Sequence, residues 1–124
     1  MILYIDRAWL LDIAHQRLST DPDVTDYGSL AAAAARHADQ VLDVPVYAEP
    51  HHRAAALMHQ LVRVPALETR NELFSAVVAA AYLTASGLTV TVGAKDAAAL
   101  AARVRDGLDV RDLAHEIKQG WITG

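Results

Sequence analysis

Residues 70–85, RNELFSAVVAAAYLTA, constrain the fold more than any other stretch. Leu73, Phe74, Val77, Val78, Ala81 and Tyr82 recur at helical spacing but cover more than one face. A helix apolar over so much of its circumference must be surrounded by others. Gly87 ends it.

The remaining segments supply the surroundings. Residues 7–17 read as a helix behind an Asp6 cap, with Trp9, Leu10, Ile13 and Ala14 turned inward. Residues 30–42 include five consecutive alanines and suit a helix packed closely on its neighbours. A third helix begins near residues 49–52, with Pro50 in its first turn and Ala54, Leu57, Met58, Leu61 and Val62 as its core stripe. Two more follow over 96–104 and 109–118, the latter with Val110, Leu113, Ala114 and Ile117 inward. Residues 2–5 read as an edge strand and 88–92 as a second strand able to pair with it, while the tail 120–124 reads as a loosely packed end. The expectation is an all-α bundle with at most a minimal two-stranded β element. No repeat or shift in composition divides residues 1–124, so one domain is expected.

Composition narrows the function classes. Fifteen acidic side chains against eleven Lys and Arg give a formal charge of −4, with no basic stripe, which argues against direct nucleic-acid binding. The absence of cysteine removes thiol nucleophiles, disulfides and Cys-based zinc sites. Asp6 and Arg7 interrupt the N-terminal apolar run, and no later run reaches spanning length, so no membrane association and a cytoplasmic location are expected.

Several residues invite a chemical reading beside an ordinary one. His51, His52 and His59 cluster with Glu49, with His52 and His59 on one possible helix face; exposed or locally bonded histidines are the plainer account, and no metal site is expected. Asp21, Asp23 and Asp26 lack calcium-loop spacing and read as a solvated loop. Asn71 fits a helix cap, and Glu72 suits a helix N-terminus. Trp9 and Trp121 read as packing partners in one corner or as anchors for a partner.

The segments RAAALMHQLVR (53–63) and ELFSAVVAAAYLTASG (72–87) flank PALETRNEL (65–73), and together with the opening MILYIDRAWLLDIAHQ, YGSLAAAA and ASGLTVTVG they resemble the Fic/Doc (death-on-curing) toxin family. The resemblance implies a helical bundle and a catalytic loop of the form His-x-Phe-x-Asp/Asn-x-Asn-Lys-Arg. On that register the general-base histidine falls at Pro65, the phenylalanine at Leu67 and the metal-organising acid at Thr69. The phosphate-binding lysine and arginine fall at Glu72 and Leu73, and the asparagine is kept as Asn71. Proline cannot take a proton, and a carboxylate beside a phosphate repels it.

The resemblance therefore implies a degenerate member of a toxin–antitoxin system that is non-catalytic, expects no cofactor and works by binding an antitoxin-like or regulatory protein along a groove. An immunity or regulatory role predicts the same features. The alternative is an active toxin passing a phosphoryl or AMP group from ATP, with Mg²⁺, to a protein hydroxyl, with Glu68 and Arg70 as substitute ligands for metal and phosphate.

Overall fold

The computed structural model describes residues 1–123. In order, the chain forms α1 (Arg7–Arg17), α2 (Tyr27–His37), β1 (Gln40–Val41), β2 (Val44–Pro45), α3 (Pro50–Arg63), α4 (Asn71–Ala85), β3 (Thr89–Val90), α5 (Ala94–Arg105), α6 (Val110–Gly120) and β4 (Ile122–Thr123). The fold is mainly helical, with two antiparallel two-stranded ribbons, β1–β2 and β3–β4.

The helix boundaries follow local chemistry. Asp6, Asp26 and Asp109 accept the backbone N–H of Trp9 (2.9 Å), Ser29 (3.1 Å) and Asp112 (2.8 Å), each satisfying a donor the first turn leaves free. At the other ends, Gly87 and Gly107 take positive φ, and the residues after them donate back to Leu83 and Arg103, closing α4 and α5. The second helix starts at Tyr27 and stops at His37, a few residues earlier at each end than its composition suggested. The reason for the stop is the hairpin that follows. Leu42 and Asp43 both sit at positive φ between the paired Val41 and Val44, the backbone of a two-residue turn matched to strand twist.

α3 is the hub, packing on α2, α4, α5 and α6, and it buries eight residues to the seven of α4. The wide apolar coverage of residues 70–85 predicts the most buried helix of the bundle, and that expectation is corrected: α3 takes the central place. Val77, Ala80 and Ala81 of α4 lie only half-buried, because α1 and α5 flank that face without closing over it.

The β element also differs. Residues 2–5 form no strand. Their backbone is held by side chains instead: the Ile5 N–H donates to His37 Nε2 at 3.0 Å, and Tyr82 Oη donates to the Leu3 carbonyl at 2.5 Å. β3 pairs with β4, Thr89 opposite Thr123 and Val90 opposite Ile122. The tail is consequently anchored rather than loose: Trp121 is 3% exposed within the core. Gly124, the last residue of that expected loose end, lies outside the described residues.

Candidate functional site

The loop between α3 and α4 is built around Asn71. Its Oδ1 accepts the N–H groups of Ala66 (3.1 Å) and Leu67 (3.0 Å), and its Nδ2 donates to the Leu67 carbonyl at 2.9 Å. Asn71 is therefore the first residue of α4 and a staple for the loop behind it, not the cap expected from its position. The cap position belongs to Arg70, which adopts the left-handed region at φ 67° and makes no side-chain capping bond. That backbone region is uncommon for a residue other than glycine, asparagine or aspartate.

A second segment lies against this loop. Thr25 and Asp26 donate their N–H groups to the Ala66 carbonyl at 2.8 and 3.1 Å, and Glu68 N–H donates to the Asp23 carbonyl at 2.9 Å. Val24 and Leu67 form an isolated antiparallel bridge, and Ser29 Oγ donates to the Val64 carbonyl. The Glu68 carboxylate accepts the Asp23 N–H at 3.1 Å, so this acid is engaged with backbone. Glu72 Oε1 lies 3.3 Å from Arg105 Nη1, and Arg105 also reaches Asp106 at 3.1 Å. Pro65, Thr69 and Arg70 are exposed, whereas Leu67 is buried.

The loop thus brings Leu67, Glu68 and Asn71 together as structure. Glu72 and Leu73 point into other neighbourhoods. Leu73, 44% exposed, lines an apolar trough of about 310 Å³ with Ala76, Val77 and Ala80 of α4 and Ala94 and Ala97 of α5. Val77 and Ala80 also line a second trough of about 500 Å³ toward Trp9 and Ile13 of α1. The exposed face of α4 is therefore a shallow surface flanked by two helices, apolar toward α5 and mixed toward α1, where Arg17 and Thr84 join its wall.

The histidines separate. His51 and His52 lie with ring centroids 4.3 Å apart in the first turn of α3, where His52 Nδ1 accepts the Glu49 N–H at 3.3 Å in a reciprocal cap. His59 is paired elsewhere, accepting from Arg36 Nη1 at 2.9 Å. Burial first, and then the charge of Arg36, lowers its pKa. Among the described residues no three His, Asp or Glu side chains are grouped to hold a metal ion. Asp21, Asp23 and Asp26 do not converge either: Asp21 Oδ1 meets His15 Nδ1 at 2.7 Å, Asp26 caps α2 and Asp23 bonds through its backbone. Trp9 and Trp121 line different grooves, Trp121 that of α5 and α6.

Sequence reasoning missed a buried polar cluster. Arg53, 3% exposed, donates through Nε to Tyr82 Oη at 2.7 Å and through Nη1 to the carbonyls of Tyr47 and Ala48 at 2.9 and 2.8 Å. His37 stands edge-on to Tyr4 and Tyr82, and its Nδ1 bonds to the Ala34 carbonyl. Accepting from Ile5 while donating to Ala34 requires a neutral ring. Burial lowers its pKa most, and Arg53 adds to the effect. The available signal was an arginine heading an otherwise apolar helical stripe, since a buried cation needs acceptors around it.

No helix among the described residues is long and apolar enough to cross a membrane. No family model matches the chain, and no curated protein matches it in sequence.

Proposed function

We propose that the chain is a degenerate Fic/Doc-like protein of a toxin–antitoxin system that transfers no phosphoryl or nucleotidyl group and acts by binding another protein. The observation that carries this reading is the fate of the last two motif positions. Where the family's cations engage phosphate, Glu72 is paired with Arg105 and Leu73 is an exposed apolar wall of the α4 trough.

The rest of the loop supports it. Pro65 holds no proton acceptor in its side chain, the Glu68 carboxylate is bound to backbone, and Asn71 is occupied with the loop's own amides. Loss of a general base alone costs about 10²–10⁴ in rate. An apolar trough with a floor of small residues suits the apolar face of a partner helix.

Co-expression with the product of the adjacent gene tests this. A complex should form at micromolar concentration and be lost in Leu73→Asp and Val77→Asp, both of which replace residues at the trough rather than in the closed core. No complex, or one indifferent to both changes, ends the interaction reading. In parallel, radiolabelled ATP with Mg²⁺ or Mn²⁺ in bacterial extract should label no target. Labelling that disappears in Glu68→Gln or Arg70→Ala would establish the alternative, a rebuilt working site. Restoring the motif with Pro65→His, Thr69→Asp, Glu72→Lys and Leu73→Arg should raise ATP affinity, which tests the register of the resemblance itself.

A further inference from the structure

A cavity of about 380 Å³ lies where the segment after β2, the first turn of α3 and the first turns of α6 meet. Its size falls in the range of small-molecule sites. It shares no residue with the loop at 65–73 or with the α4 trough.

Its wall divides by chemistry. Val46, Val110 and Ala114 provide the apolar part, and Tyr47, His52 and Arg111 the polar part. Tyr47 Oη already accepts from Arg36 Nε at 3.1 Å, leaving its own proton to donate. His52 Nδ1 accepts the Glu49 N–H, which leaves the neutral ring's proton on Nε2. Arg111 is exposed and makes no ion pair among the described residues. Among the described residues no carboxylate lines the cavity. The two acids next to it in sequence are committed, Asp109 as the cap of α6 and Glu49 in the reciprocal cap of α3.

We propose that this cavity binds a small organic monocarboxylate with a compact apolar body. Arg111 takes the carboxylate through its planar fork, His52 Nε2 and the Tyr47 hydroxyl donate to its remaining lone pairs, and Val46, Val110 and Ala114 cover the body. With one lining guanidinium, the second charge of a phosphate dianion would be desolvated without a partner, which favours a carboxylate.

The test is a titration of isotope-labelled protein, followed by amide chemical shifts, with benzoate, its neutral isostere benzamide and the dianion phenyl phosphate. Benzoate should give saturable shifts centred on Tyr47, His52 and Val110, and both other probes should bind at least about tenfold more weakly. Arg111→Met preserves an exposed side chain's length and should lower benzoate affinity about tenfold or more, while the parent fold persists in the remaining spectrum. Tyr47→Phe should weaken binding by a smaller factor. No saturable shift with benzoate up to about 10 mM, an equal response to benzamide, or undiminished affinity in Arg111→Met overturns the proposal. Tighter binding of phenyl phosphate overturns the monocarboxylate assignment.

Discussion

The two ends of α3 use polar side chains in opposite ways. In its first turn Arg53 is enclosed and joins α3, Tyr82 of α4 and the segment before α3 through bonds of 2.7–2.9 Å. Past its last turn, the loop at 65–73 is largely exposed, and its polar groups serve the loop's own backbone. A buried polar group must find partners or cost the fold its full desolvation, whereas an exposed one exchanges partners with water at little cost. Stability therefore concentrates at the Arg53 end, and the loop end is free to change its chemistry without loss of the fold.

Arg53→Ala gives the sharpest test. It leaves the carbonyls of Tyr47 and Ala48 without their donor and takes one from Tyr82 Oη, which keeps its own bond to the Leu3 carbonyl, and should cost roughly 3–5 kcal/mol in chemical denaturation. Leu57→Ala, in the fully buried stripe of the same helix, should cost roughly 2–4 kcal/mol through lost burial and the cavity left behind. If both variants denature like the parent, the core assignment is wrong.

Asn71→Ala removes three bonds at the loop end and should cost about 1–2 kcal/mol. Its larger signature is local: amide exchange at Ala66 and Leu67 should accelerate while the protection of Leu57 holds. Uniform acceleration across the chain would show that the loop is part of the stability core and collapse the contrast between the two ends.

His37 adds a pH dependence to the buried end. Its folded pKa is lowered by burial and by Arg53, so the unfolded chain binds more protons as the solution acidifies. Its contribution is fully present above the ordinary value of 6.5 and is lost as pH falls below it toward the depressed folded value. His51 and His59, also lowered chiefly by burial, act in the same direction. Denaturation midpoints at several pH values below 7 should fall in the parent and fall less in His37→Gln, which retains an acceptor for Ile5. Equal slopes would remove His37 from the account.

The smallest effect belongs to Glu72→Gln. The Glu72–Arg105 pair is exposed and screened, so the melting temperature should match the parent's, and a clear drop would mean that the loop end carries more stability than its exposure allows.

Much of the scaffold was legible in the chain. The helical stripes of α1, α3, α4 and α6 and the cap at Asp6 are local patterns, and local patterns survive folding. The strand pairing was not. Residues 2–5 and 88–92 both read as extended, but an extended segment does not record its partner, and β3 took the tail while His37 and Tyr82 took the N-terminus. At the loop, the residue types Pro65, Thr69, Glu72 and Leu73 were plain in the chain, but not that Asp23 and Asp26 would lie along Ala66 and Glu68.

By itself the amino-acid sequence determined the helical character, the Asp6 cap and the side chains available to the loop at 65–73, because spacing and side-chain chemistry act over a few residues. The tertiary structure decided that Arg53 is the buried polar hub, that Asn71 staples rather than caps, that Leu73 joins an apolar trough and that Arg111, His52 and Tyr47 face one cavity. Each of those depends on which distant segment arrives to accept or leave unmet a hydrogen bond, and that choice is made by packing across the whole chain rather than within any one stretch of it.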